Sequence, residues 1–537
     1  MIYAGITVGP IVGTLSMTST PAGLWAASYF FSSLVRDICE ALQAREAAVL
    51  TLPEGFQVRE HRDEYRGIGR YHDRVYFMMD RETAEVEAQL QGARDEAVRR
   101  SAEALGTALR KSADEAEAFL KKYLQIHYVI VPEEETKAKG LAKTLADALD
   151  AMELAEHAQG RQAANLFLDF LRDESNDCLK NYPPLVDAVK AGDFALARGD
   201  EGDISLTDLP RIARGDLIPS DAERTRRGKT GKYFAIVQGD GDNMGQLLAT
   251  SDGMEEKERI QQFSTLCMDY TATALRQVQR FGGAMIYAGG DDLLFLAPVI
   301  GAGGKTVWEL CRELDGTFRN AFAASAFSKQ ALPVRPSMSF GVSIEYVKYP
   351  LYEAFADAQT RLFGDAKRPF DDKDFTGLPF TEKERKNNLA VRVLKHSGQA
   401  SGFIASLQSE TLTEFFALLD AFFKNDGKGT DKANQAMHSV LYHVENEKAL
   451  FAAAMDDPNA GQTLGYTFRN AFDNAGQVLA REQNEAVARL AAAIVKDYKD
   501  YRVRQIGEED ASYSRLYTLT AMLRVAKLLA EGGKARE

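Results

Sequence analysis

Cysteine is scarce in this 537-residue chain, and Cys39, Cys178, Cys267 and Cys311 are scattered without paired spacing. That excludes a disulfide framework and a zinc ribbon, so no zinc is expected. Charge is missing altogether before Arg36, a stretch long enough to suggest a targeting segment. It lacks a basic beginning, however, and Pro10, Pro21, several glycines and hydroxyl residues interrupt it, so neither a signal peptide nor a spanning helix fits. A cytoplasmic protein without membrane attachment is expected. An excess of positive charge is absent too: 65 Lys and Arg face 78 Asp and Glu, for a formal net charge of −13. Such a balance argues against a protein that coats nucleic acid unaided, and any RNA contact should be local or shared with basic partners. No complete phosphate-binding P-loop exists. Gly228-Lys-Thr230 has Glu223, and Gly304-Lys-Thr306 has Val299, where that motif's first glycine belongs. The second string does lie between a strand and a helix, which leaves an ATPase as a competing reading.

What the chain does have is two acidic, glycine-rich corners at the ends of apolar strands. Ala284-Met-Ile-Tyr-Ala-Gly-Gly-Asp-Asp-Leu-Leu-Phe-Leu-Ala-Pro298 reads as a hairpin, with Gly289-Gly290 suited to the turn and Asp291 and Asp292 at its tip. Adjacent carboxylates at the mouth of two buried strands repel one another, and a divalent cation removes that objection. Upstream, Lys232-Tyr-Phe-Ala-Ile-Val-Gln238 reads as a buried strand that runs into Gly239-Asp-Gly-Asp-Asn-Met-Gly245. If the two strands are neighbours, Asp240 falls beside Asp291 and Asp292, an oxygen-only set of the kind that shares Mg²⁺ with substrate phosphates. The glycines Gly239, Gly241, Gly289 and Gly290 would let a nucleotide approach the backbone, with Asp242 and Asn243 shaping the loop rather than binding metal.

The order of patterns around these corners is β-α-β-β-α-β. Ile260, Phe263, Cys267, Tyr270, Ala274 and Val278 recur at helical spacing between strand and hairpin, Val307, Leu310, Leu314 and Phe318 do so after it, and Pro336 to Ile344 supplies a fourth strand. This is the split βαβ arrangement of palm domains. An earlier stretch repeats it: a strand Ile2 to Val8, a helix from about Ala22 to Ala44, and strands Tyr71 to Phe77 and Ile126 to Val131 with a long helix between them. Ile6-Thr-Val8 stands there where the later copy has its acidic loop, so this copy reads as catalytically degenerate. His72-Asp73 is read as part of its strand.

At these motifs the chain resembles the large palm-domain subunit of type III CRISPR effector complexes, nearest to the Cmr type. The resemblance rests on Gly239 to Gly245, Tyr287-Ala-Gly-Gly-Asp-Asp-Leu293, Ser339-Phe-Gly-Val342, Lys348-Tyr-Pro-Leu-Tyr-Glu-Ala354, Leu394-Lys-His-Ser-Gly398 and, near the start, Gly9-Pro-Ile-Val12 and Leu24 to Phe30. It implies an α+β fold of two ferredoxin-like, nucleotide cyclase-like palms with a helical insert and a helical bundle. The expected segments are 1–132 for a degenerate first palm, 133–225 for the insert, 226–400 for the catalytic palm and 401–537 for the bundle. It further implies an ATP-using nucleotidyltransferase that makes cyclic oligoadenylates when target RNA binds, with two Mg²⁺ or Mn²⁺ ions on Asp240, Asp291 and Asp292, and lysines near the triphosphate, here Lys367 and Lys395. Other effector subunits, guide RNA and target RNA are the implied partners. Members of this family often begin with a His-Asp nuclease domain, and this chain is expected to lack one. The insert often holds a cysteine-bound zinc, for which only Cys178 is on hand. A stand-alone diguanylate cyclase and a catalytically silent scaffold of a ribonucleoprotein are the alternatives. Arg224 to Lys232 reads as a basic linker that could touch RNA or triphosphate.

Overall fold

The computed structural model describes all residues except 63, 138, 155–164, 173–174, 176, 201–202, 220–230, 250–253, 326, 328–335, 369–385, 424–429, 458, 474–480, 498–513 and 531–537. Most of the expected basic linker therefore lies outside the described residues. Two mixed α+β units carry the chain. In the first, β1 (Ile2–Gly9) is the third strand of a four-stranded sheet with β2 (Ala48–Val49), β3 (Arg74–Met79) and β4 (Gln125–Pro132), in the order β2-β3-β1-β4. A helix Pro21–Gln43 packs with it, started by Pro21 at its first turn and by the Thr20 side chain, which accepts from the Gly23 amide at 3.1 Å. Its residues are buried nearly all round, Leu24, Trp25, Phe30 and Leu34 completely, which explains the charge-free opening of the sequence: a helix that is apolar on every side belongs inside a protein.

The segment after β4 is not wholly helical as expected, because β5 (Ala197–Asp200) and β6 (Asp203–Leu206) form a two-stranded ribbon within it. Its helix Leu141–Leu154 is pinned at the amino end by Glu256, whose two carboxylate oxygens accept from the Leu141 and Ala142 amides at 2.6 and 2.8 Å. A carboxylate there satisfies orphan N–H groups and complements the helix dipole.

In the second unit β7 (Tyr233–Gly241), β8 (Ala284–Gly289), β9 (Asp292–Pro298) and β10 (Met338–Tyr346) follow the expected palm order, with helices Glu256–Phe281 and Val307–Ala323 as crossovers. The sheet is larger than expected. β11 (Asn388–Leu394) lies parallel to β10, and β12 (Ala400–Ser406) pairs antiparallel with β11, giving the order β12-β11-β10-β7-β9-β8. The expected helical bundle starts at residue 401, inside this strand; with Gly402 inside and small residues around it, the segment hides its strand character. Both faces of this sheet are buried. Phe234 and Ile236 join the apolar cluster of the first unit around Trp25 and Phe30, whereas Ala235 and Val237 face Tyr270, Trp308 and the carboxy-terminal helices, as the two-residue period of a strand requires. Those helices begin with Glu410–Phe423, which Asp497 of a later helix caps through the Thr411 amide at 2.7 Å.

The P-loop-like Gly304-Lys-Thr306 proves to be a helix start. The Thr306 side chain and Glu309 form a reciprocal capping box, and Lys305 is paired with Glu313, so the competing ATPase reading loses its loop.

Candidate functional site

Antiparallel pairing brings the acidic corners together. Gly239 of β7 pairs with Leu293 of β9, so Asp240 follows on one strand where Asp292 precedes on the other. Gly290, at φ +63°, makes the turn with Asp291, a backbone conformation that glycine adopts at no steric cost. The approach is close: a Cβ on Gly241 would stand 2.4 Å from Asp291 Oδ2, and one on Gly239 2.6 Å from the Phe340 ring. Asp240, Asp291 and Asp292 thus converge, with Gly239, Gly241, Gly289 and Gly290 around them.

Burial, followed by repulsion from Asp240, pushes the carboxyl of Asp291 up; burial, Asp240 and Asp291 push that of Asp292 up further. Asp292 nevertheless leaves 38% of its side chain reachable from solvent. Like charges held together in a desolvated pocket favour a neighbouring cation.

Lys367 supplies one cation. Its Nζ donates to the Gly241 carbonyl at 2.8 Å, pairs with Asp240, and lies 3.6 Å from Asp242 Oδ1. Burial works against the ammonium, but Asp240 and Asp242 overcome it and hold its pKa above the ordinary lysine value. A π-helical turn, Thr360–Ala366, delivers this lysine, and it rests on β10 at Gly341, where a Cβ would meet the Ala358 carbonyl oxygen at 2.3 Å. Such turns recur at functional sites.

Asp242 is fully buried and structural in its contacts. Ser337 Oγ donates to it at 2.8 Å, Ser339 Oγ at 2.9 Å and the Asn387 amide at 2.9 Å. It ties β7 to β10 and to the start of β11, while Asn243, at φ +62°, turns the chain into the helix Met244–Ala249. Ser337 and Asn387 carry no local signal in the sequence, since their partner Asp242 lies 95 and 145 positions away.

Lys395 is not brought to this site. Asp240 pairs with Ser339, near the beginning of β10, whereas Leu394 pairs with Glu345, near its end. Because β11 runs parallel to β10, its carboxyl end lies about 20 Å from the acidic corner at 3.3 Å per residue. A strand followed by a lysine reads the same in sequence whichever way it runs.

The expectation that His72-Asp73 belongs to a strand is also corrected. β3 begins at Arg74, and the pair lies in the loop before it. His72 Nδ1 is 2.8 Å from Asp73 Oδ1, and His72 Nε2 is 4.0 Å from Asp292 Oδ2. Burial opposes the charged ring, but Asp73, Asp292 and Asp291 outweigh it and raise its pKa to about 9. The Gly67-Ile-Gly-Arg-Tyr71 run before it is the one sequence hint, two glycines ahead of an apolar strand.

Among the described residues, no three His, Cys, Asp or Glu side chains are already gathered at metal-holding spacing. The donors still suit a hard divalent cation. They are all carboxylate oxygens, two of them are destabilised by mutual repulsion, and the ammonium of Lys367 marks where positive charge is favoured.

Residues 233–375 match the family model described as the second palm domain of Cas10/Cmr2. Over that segment the chain is similar to a Cas10/Cmr2 palm. The Cas10/Cmr2 assignment is echoed by the CRISPR system Cmr subunit Cmr2 of Pyrococcus furiosus, 26% identical over 211 residues, a match covering 35% of this chain and 21% of that relative. The aligned part is thus about a fifth of the relative's length. The fold of a chain in a type III-B Cmr-beta complex in its apo state is similar, with a TM-score of 0.56 at 12% identity over 97% of this chain and 81% of that one. The same complex bound to cognate target RNA gives 0.55 at 11% identity, over 97% and 82%. At that identity the likeness is one of fold. The matched segment contains Asp240, Asp242, Asp291, Asp292 and Lys367.

Proposed function

We propose that this chain is the cyclase subunit of a type III CRISPR effector, joining ATP into cyclic oligoadenylates when target RNA binds the assembled complex. The observation that carries the reading is the meeting of Asp240, Asp291 and Asp292 at two glycine-rich strand ends within a Cas10/Cmr2 palm. Two Mg²⁺ or Mn²⁺ ions on these carboxylates would supply a more acidic acceptor 3′-hydroxyl and charge neutralisation for the departing pyrophosphate. Asp240 and Asp291 hold the acceptor side and Asp292 the donor side. Gly239, Gly241, Gly289 and Gly290 admit the nucleotide to the backbone. Lys367 exchanges Asp240 for a phosphate oxygen as the triphosphate arrives, which keeps its ammonium paired throughout. Positioning of acceptor and donor in line supplies much of the rate enhancement in such a reaction.

Guide RNA, target RNA and the other effector subunits are the proposed partners, the Cmr-beta complex with cognate target RNA being the relevant parallel. No described helix is long and apolar enough to cross a membrane, in keeping with work in the cytoplasm. The deciding experiment is chromatographic identification of products from labelled ATP or GTP, with and without partner subunits and RNA. Cyclic oligoadenylate that requires the complex and target RNA is expected. Cyclic diguanylate from GTP and the chain alone would make it a diguanylate cyclase, and no product under any condition would make it a scaffold.

A further inference from the structure

The two sheets place different dipeptides at the same point of their architecture. In the second, the end of β7 pairs with the start of β9, Gly239 opposite Leu293, so that Asp291-Asp292 stands just before the first paired residue. In the first, the end of β1 pairs with the start of β3, Thr7 opposite Arg74, and the Val8 amide donates to the Asp73 carbonyl at 3.1 Å. His72-Asp73 therefore occupies in the first sheet the position of Asp291-Asp292 in the second, and the two corners face each other. Gly69 bridges Tyr287, and the Ala288 amide donates to the Gly69 carbonyl at 2.9 Å.

The loop that presents His72 is held from several sides. Ser32 Oγ accepts from the Arg70 and Tyr71 amides, each at 2.8 Å, and Trp25 Nε1 donates to the Gly67 carbonyl at 2.7 Å. The ring rests on the turn glycine of the hairpin, where a Cβ on Gly290 would be 3.0 Å from His72 Cδ2. The Arg74 amide donates to its Nδ1 at 3.1 Å, which puts the neutral ring's proton on Nε2, and Asp73 Oδ1 lies 2.8 Å from Nδ1, so Nε2 carries an N–H in the charged ring as well. A donor on one ring nitrogen fixes the tautomer and aims the other nitrogen's proton. Here the other is Nε2, 4.0 Å from Asp292 Oδ2, beyond hydrogen-bond reach. The ring keeps 36% of its side chain open to solvent.

We infer that His72 is a nucleotide-binding residue of the acidic site, lent by the first sheet, whose Nε2–H donates a hydrogen bond to a phosphate oxygen of the nucleotide held at Asp291-Asp292. The inference rests on the cyclase reading and adds a residue to it. Phosphate is the partner because its oxygens are acceptors, and the carboxylates facing His72 leave an incoming anion in need of donors.

The test is binding of a non-hydrolysable ATP analogue with Mg²⁺ to the full chain, alongside steady-state synthesis by the assembled complex. His72→Ala should weaken analogue binding about tenfold and raise KM by a similar factor, with kcat changed less than about threefold, the size of one hydrogen bond to a charged group. His72→Gln, which places an amide N–H near the Nε2 position, should restore most of the affinity, and both variants should melt with the wild type. Equal affinity in wild type and His72→Ala, or an effect of His72→Ala that His72→Gln does not relieve, would overturn the inference while the cyclase reading stands. If the wild type binds no ATP analogue, the cyclase reading falls and takes the inference with it.

Discussion

At the scale of single residues, the site is a balance of repulsion and close approach. Asp291 and Asp292 sit at a turn where their charges oppose each other, so replacing both with alanine removes the proposed metal ligands and relieves repulsion. Asp291→Ala with Asp292→Ala should lower nucleotide joining by about three orders of magnitude or more, as loss of several kcal/mol of charge stabilisation implies, without lowering the melting temperature. Failure of that variant to assemble would give the carboxylates a structural role instead. Gly241→Ala makes the complementary point. Its Cβ would overlap the Asp291 carboxylate at 2.4 Å, so activity should fall at least about tenfold while stability drops by only about 1–3 kcal/mol, as overpacking does. The acidic residues were legible because they stand in glycine-rich turns at the ends of apolar runs, a pattern local to the sequence. His72 was not, because what gives it meaning is Asp292, more than two hundred positions away.

Elements bring their own balance of charge. Glu345 is fully buried on β10, where Ser343 Oγ donates to Oε1 at 3.0 Å and Arg392 lies 3.6 Å away, while Oε2 has no hydrogen-bond partner among the described residues. Burial raises its pKa to about 8, with Asp357 and Glu353 adding to the rise and Arg392 opposing it. The folded protein thus retains a proton that the unfolded chain releases, so stability is full below the ordinary carboxylate range and declines as pH rises from about 4.5 toward 8. Glu345→Gln should match the wild type near pH 5 and exceed it by roughly 1–3 kcal/mol at pH 8.5, read from denaturant midpoints; a constant difference across that range would rule this account out. The palm order of strands and helices was legible from periodicity. Strand direction was not, so Lys395, which the resemblance put near the triphosphate, stands at the opposite end of β10 from Asp240. Nor was β12, whose Ala-Ser-Gly start carries too little apolar signal to mark a strand.

For the whole molecule, a net charge of −13 sets the terms of any contact with RNA. The isolated chain should bind RNA weakly at physiological salt, with tight binding only after assembly with basic subunits, as filter binding over a salt series would show; nanomolar binding by the chain alone would refute this. The two sheets themselves meet backbone to backbone, the Ala288 amide held by the Gly69 carbonyl. That single proton is a clock. Its exchange for deuterium counts how often the two halves part, and nucleotide that spans both sides would make the clock run slow.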